Sequence, residues 1–219
     1  MYDSYNSSDK IVGAMYGAHR VLSHPKMIDS ESGMPYRPIS MDDLYTVVSE
    51  ISGFDIEMRD VNFEAKYLHG RIEIYDGKRA KIDVRAGLNE ADKRFVTAKE
   101  LMHLVIDANE DYCPYGDQII DELIDRGLVG KYNLVPEVSR PAASDVITEI
   151  AATEVLFPLS FRMEEMARVR NPNDPTSYVK LATEYEVPND CVSRALSEQY
   201  LAECGKAIDE VMAKFEKSE

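Results

Sequence analysis

The sequence predicts an α+β domain that is mainly helical and contains a small antiparallel sheet. Apolar residues recur at helical spacing over most of the 219-residue chain. Between about residues 66 and 85 the period changes to alternation, on either side of Asp76-Gly77. Asp-Gly between alternating segments is the strongest short signal of a β-hairpin. One hairpin inside a helical chain is typical of the α+β class.

The composition is that of a soluble globular protein, with 44% hydrophobic residues and a net charge of −15. No apolar run approaches the roughly 18 residues of a membrane span, and the first ten residues lack the apolar core of a signal peptide. We therefore expect a cytoplasmic location and no membrane association. Because an acidic chain repels phosphate, the charge argues against a nucleic-acid partner and favours a protein partner.

The first half of the chain contains predicted helices and the hairpin. Ile11, Met15, Ala18 and Leu22 form one stripe of a helix over residues 9–24. A second helix begins at Ser40, with Asp43 three residues later as a capping-box partner. The hairpin strands cover about residues 66–75 and 79–85. Asn89 is the candidate N-cap of a helix over residues 90–107.

The second half is predicted to be helical with long loops. A loop over residues 108–116 leads to a short helix at 117–126, a long loop to Pro141 and a helix at 144–157. The remainder is helical and includes a long segment from 190 to 216. We predict two units, residues 1–160 as a domain and residues 161–219 as a helical C-terminal extension. The apolar stripe of the last helix packs on the domain or on a second subunit, so a homodimer through this helix stays open.

The helix over residues 90–107 carries a near match to a zinc-protease motif. The usual motif is H-E-x-x-H, and this chain reads Lys99-Glu100-Leu101-Met102-His103. Positions i and i+4 lie about 40° apart on one helix face, so two imidazoles can converge on zinc while the glutamate acts as general base. Only Glu100 and His103 fit this scheme, because Lys99 occupies the first ligand position.

The surrounding sequence resembles the ImmA/IrrE family of zinc-dependent metallopeptidases over about residues 40–160. A hairpin and the segment Arg94-Phe-Val-Thr-Ala precede the motif, and Glu149-Ile-Ala-Ala-Thr-Glu-Val-Leu-Phe-Pro158 follows it in the family's order. The resemblance implies a zincin-like fold in which two motif histidines and a downstream acid bind zinc. It implies that Glu100 occupies the catalytic-base position and His103 that of the second histidine ligand.

The downstream acidic ligand is less directly indicated by the motif. We favour Glu149 and keep Asp145 and Glu154 as alternatives. Asp145 and Glu149 share a helical face, whereas Glu154 lies about 140° around the helix from Glu149. Asp107 follows the motif helix, and we interpret it as part of a solvated loop.

The lysine at position 99 changes the expected chemistry. A lysine binds metal only as the neutral amine, and deprotonation at pH 7 costs about 4–5 kcal/mol from a reference pKa near 10.4. Its ammonium can instead take the place of the metal and pair with Glu100 or Glu149, so that the carboxylates stay neutralised. Histidines elsewhere, at positions 19, 24 and 69, could replace the missing ligand, but the sequence does not place them in the site.

These observations lead to two main hypotheses. In the first, the chain is a regulatory pseudo-peptidase with a degenerate site and no cofactor, and it binds a protein partner. In the second, it is an active zinc endopeptidase that cleaves a regulatory protein such as a repressor, and a peptide is its substrate. The resemblance implies a regulatory setting that includes phage and mobile elements. A third hypothesis is an acidic binding module unrelated to peptidases.

Overall fold

The fold is α+β and mainly helical in residues 7–107, 140–169 and 175–216, which a computed structural model describes. The predicted helix at 117–126 and its flanking loops lie outside the described residues. The elements are α1 Ser7–Leu22, α2 Met41–Ser52, β1 Asp55–Val61, β2 Gly70–Tyr75, β3 Arg79–Arg85, α3 Glu90–Ile106, α4 Arg140–Leu156, α5 Leu159–Arg168, α6 Pro175–Tyr185, α7 Asn189–Ala195 and α8 Glu198–Glu216.

The sheet contains the predicted hairpin and one strand that the sequence did not predict. Strands β2 and β3 are antiparallel, with Tyr75 opposite Arg79, and Gly77 between them has a left-handed φ of 78°. Strand β1 lies beside β3 and runs parallel to it, which gives the order β1-β3-β2. The prediction of a purely antiparallel sheet was therefore wrong, because the sheet is mixed. Only Ile56 of β1 is buried, so the strand lacks the alternation of apolar residues that sequence patterns detect.

Side-chain caps determine where the helices beside the sheet begin. The Ser40 hydroxyl accepts a hydrogen bond from the Asp43 amide at 3.3 Å, and the Asn89 side chain accepts one from the Asp92 amide at 2.9 Å. Both bonds satisfy helix N–H groups that lack an intrahelical partner, and both caps were predicted. Four residues separate the end of β3 at Arg85 from the start of α3 at Glu90, and the motif helix lies directly against β2 and β3.

The core forms where α1, α3 and α4 pack on one another and where α3 packs on the inner face of the sheet. Helix α8 lies against α1, so buried residues from both sides of position 160 belong to one cluster. The boundary near 160 and the homodimer through the last helix stay predictions. No helix within the described ranges has the length and apolarity that would let it cross a membrane. Fully buried core side chains include Met15, Leu101, Met102, Ala151, Val155 and Val211.

Candidate functional site

Lys99 projects from α3 towards α4 and is enclosed between carboxylates. Its Nζ atom contacts Oδ1 of Asp145 on α4 and lies 3.3 Å from Oε1 of Glu100. Only 19% of the Lys99 side chain is exposed. The sequence predicted that the Lys99 ammonium pairs with Glu100 or Glu149; in the structure it lies near Glu100, and the acid of α4 in contact with it is Asp145.

Lys99 and Asp145 each stabilise the charged form of the other. Burial alone lowers the pKa of Lys99, but the neighbouring Asp145 and Glu100 raise it well above its ordinary value. Burial raises the pKa of Asp145, whereas Lys99 and His103 outweigh that effect and hold it well below its usual range. At neutral pH the site therefore contains an ammonium paired with a carboxylate.

His103, one helical turn after Lys99, has acceptor oxygens at both ring nitrogens. Its Nδ1 lies 2.6 Å from Oδ2 of Asp107, and its Nε2 lies 3.1 Å from the Thr148 hydroxyl oxygen. The Thr148 hydroxyl donates its own hydrogen to the Ser144 carbonyl at 3.0 Å, so its oxygen accepts from His103. Burial lowers the pKa of His103, but the hydrogen bond to Asp107 and the nearby carboxylates of Asp145 and Glu100 raise it to about 9. The ring is therefore an imidazolium with both nitrogens donating.

Asp107 belongs to the site, and the interpretation of this residue as part of a solvated loop was wrong. Its carboxylate is only 3% exposed and accepts a hydrogen bond from the Ser144 hydroxyl at 2.6 Å. The Asp107 amide donates to the His103 carbonyl at 3.0 Å as α3 ends, which turns the side chain back over the last helical turn. The four-residue spacing from His103 was a signal available in the sequence, as was the spacing of Ser144 and Thr148 on α4.

Glu100 is buried against the first residue of β2. Its side chain is 3% exposed, and its Oε1 atom has no hydrogen-bond partner among the described residues. A Cβ atom on Gly70 would lie 2.5 Å from this oxygen and 2.7 Å from Cγ1 of Val96. Glycine is therefore required at position 70 for the Glu100 carboxylate to lie against the strand.

The two other candidate acids on α4 pair with arginines. Oε1 of Glu149 lies 3.1 Å from Nη1 of Arg194 on α7. Burial raises the pKa of Glu149, whereas Arg194 and Lys99 oppose that rise. Glu154 is buried, contacts Arg162 and accepts a hydrogen bond from the Leu159 amide at 2.9 Å. Asp145, an alternative considered from the sequence, contacts Lys99, and its Oδ1 atom lies 3.9 Å from Nε2 of His103.

The donor set that the described residues form around Lys99 does not fit a zinc ion. Zinc needs lone pairs from about three protein ligands, whereas the first ligand position holds Lys99, whose neighbours raise its pKa and keep it an ammonium without a lone pair. His24 pairs with Glu50 at 3.2 Å, and His19 bonds to Ser23 at 3.2 Å. His69 precedes Gly70, whose backbone meets Glu100, and burial together with the charges of Arg85 and Lys99 lowers the pKa of His69, so this histidine lies near the site. Across the three described ranges no group of three or more His, Cys, Asp or Glu side chains has an arrangement suited to a metal.

Comparison with known proteins does not assign the chain to a family. No protein-family model matches the sequence, and no curated protein matches it either. The likeness to ImmA/IrrE peptidases therefore depends on residues of this chain alone, namely the motif on α3 and the segment on α4.

Proposed function

We propose that this chain is a zincin-like, ImmA/IrrE-like protein with a degenerate zinc site that acts as a regulatory pseudo-peptidase. It binds a protein partner and does not cleave it. One observation carries the proposal: the ammonium of Lys99, the residue at the first ligand position of the motif, contacts the carboxylate of Asp145.

The ion pair replaces the electrostatic role of a metal without its chemistry. A zinc ion in such a site would neutralise the acids and lower the pKa of a bound water to about 7. The Lys99 ammonium neutralises Asp145 and Glu100, but it has no lone pair for a ligand bond and no open coordination position. Because its neighbours raise the pKa of Lys99, the neutral amine is less accessible than in a free lysine.

The buried carboxylate of Glu100 supports the same conclusion. A general base must reach the water that it deprotonates, and in a metallopeptidase that water is held by the metal. Glu100 instead faces the Lys99 ammonium at 3.3 Å and the backbone at Gly70. In this setting it stabilises the lysine as a counter-ion. Binding a partner requires the fold and its surface, and the net charge of −15 favours a partner with a basic surface.

The test measures binding and cleavage of the same candidate partner. A candidate repressor-type protein is incubated with the purified protein, with and without added zinc. Calorimetry reports binding, and intact-mass spectrometry reports cleavage. We expect stoichiometric binding and an uncut partner in both conditions, and the same result for Glu100→Gln and for the surface control Glu31→Gln. Zinc-dependent cleavage that Glu100→Gln abolishes and Glu31→Gln retains would overturn the proposal and identify an active endopeptidase.

A further inference from the structure

Strand β1 is hydrogen-bonded to β3 on one side, and its other edge, hereafter the open edge, pairs with no strand among the described residues. The Asp55 amide donates to the Lys78 carbonyl at 2.9 Å, and the Val61 carbonyl accepts from the Ala86 amide at 2.7 Å, so both residues face β3. Main-chain groups alternate between the two edges of a strand, and those of Ile56, Met58 and Asp60 therefore point away from β3. The carbonyl of Ile56 accepts a hydrogen bond from the Tyr45 hydroxyl at 2.5 Å, which agrees with this direction.

The solvent-facing side of the sheet carries charges that alternate in sign across the strands. We define two charge rows by the strand register: Glu57, Lys81 and Glu73 form the first row, and Arg59, Asp83 and Arg71 form the second. The Lys81–Glu73 pair spans 2.7 Å, and Asp83 lies 2.7 Å from each of its two arginines. Each row ends on β1 at the open edge, the first row with Glu57 and the second row with Arg59.

We propose that a second copy of this chain docks on β1, antiparallel to it, with the two Met58 residues opposite each other. In this register the N–H and C=O groups of the two Met58 residues exchange hydrogen bonds across the two-fold axis. Glu57 lies opposite Arg59 of the partner subunit, and Arg59 lies opposite Glu57 of the partner subunit. Each charge row thereby continues into the partner subunit with its signs still alternating, and opposite charges on facing residues stabilise a pair of strands.

The charge rows also select the register. A shift that centres the pairing on Arg59 places this residue opposite Arg59 of the partner subunit, and like charges directly opposite are destabilising. The strand has neither a proline nor a bulge, which proteins use to protect edges from pairing, and Met58 is 38% exposed. Because only seven residues pair and each copy carries a net charge of −15, the dimer should be weak and concentration-dependent. This inference is independent of the proposed function.

Cysteine cross-linking tests the register. Opposite residues in a hydrogen-bonded antiparallel pair have Cα atoms about 5.5 Å apart, which suits a disulfide. Under mild oxidation we expect Met58→Cys to form a covalent dimer. Glu57→Cys serves as a register control because it faces position 59, and Met163→Cys serves as an exposure control with 57% of the residue accessible. Neither control variant should form more covalent dimer than the wild-type protein. Equal amounts of covalent dimer in all three variants would overturn the proposal.

Sedimentation equilibrium tests the association without cross-linking. Met58→Pro removes the outward N–H group at a position where an edge strand tolerates proline, and Glu57→Arg places two arginines opposite each other. Glu31→Arg makes the same charge change on an exposed residue away from β1. We expect a concentration-dependent dimer for the wild type and Glu31→Arg, and its loss in both β1 variants with unchanged circular dichroism. A monomer at every concentration, or a dimer that both β1 variants retain, would contradict the proposal.

Discussion

The Nζ atom of Lys99 on α3 contacts the Oδ1 atom of Asp145 on α4. This contact joins the motif helix to α4, next to an imidazolium at His103 whose Nδ1 atom lies 2.6 Å from Oδ2 of Asp107. The result is a buried chain of alternating charges. Such a chain is stable only while each charge keeps its partner, because an unpaired charge in a protein interior is costly.

Removing the lysine should destabilise the fold. Lys99→Met leaves Asp145 and the buried Glu100 without their shared cation, and breaking a buried pair costs roughly 3–5 kcal/mol. Because the Asp145 side chain is 30% exposed, we expect the lower end, about 3 kcal/mol. Urea denaturation measures the change, with Lys206→Met on the exposed face of α8 as the matched control. Equal unfolding midpoints for the two variants would show that the ion pair contributes nothing.

Stability should fall as the pH rises through the titration of His103. The folded-state pKa of about 9 lies above the ordinary value of 6.5, so the contribution is complete below pH 6.5 and is lost as the pH approaches 9. Since a shift of one pKa unit corresponds to about 1.36 kcal/mol, the protonated His103 contributes about 3 kcal/mol to the free energy of unfolding. Denaturant midpoints between pH 6 and pH 9.5 measure it. His103→Gln should flatten this dependence and His24→Gln, outside the site, should not; parallel curves for wild type and His103→Gln would be the contrary result.

The substitution Gly70→Ala adds a methyl group that should disturb the Glu100 carboxylate. Its carbon would lie 2.5 Å from Glu100 Oε1 and 2.7 Å from Val96 Cγ1, and overpacking of this kind costs about 1–3 kcal/mol. Gly205→Ala in α8 is the matched control, since nothing lies within 4 Å of the added carbon. There we expect a gain of about 0.5–1 kcal/mol from helix propensity. Thermal unfolding measures the stability of both variants. A gain in stability for Gly70→Ala as well as for Gly205→Ala would refute the close contact at Gly70.

The sequence predicted the motif helix and the hairpin because their signals are local. Asn89 marks the start of α3, and the spacing of Lys99, Glu100 and His103 puts all three on one helix. Strand β1 escaped prediction because it is an edge strand with most residues exposed, so its apolar residues do not alternate with polar ones. Its position is fixed by pairing with β3, which no local pattern encodes.

The choice between Asp145 and Glu149 could not be made from the sequence for a similar reason. These residues are four apart and share one face of α4, so helix periodicity treats them alike. The rotation of α4 against α3 brings Asp145 to Lys99, while the approach of α7 brings Arg194 to Glu149. Both are tertiary effects. Asp107 was missed because helix termination at Ile106 folds its side chain inwards.

The zinc content of the purified protein tests the central claim most directly. Elemental analysis after incubation with zinc and removal of excess metal is compared between wild type and Lys99→His, which supplies the missing imidazole and frees Asp145. The account predicts no stoichiometric zinc in the wild type and a gain of bound zinc in Lys99→His. One zinc per wild-type chain, removed by a chelator and lost in His103→Gln, would contradict the account.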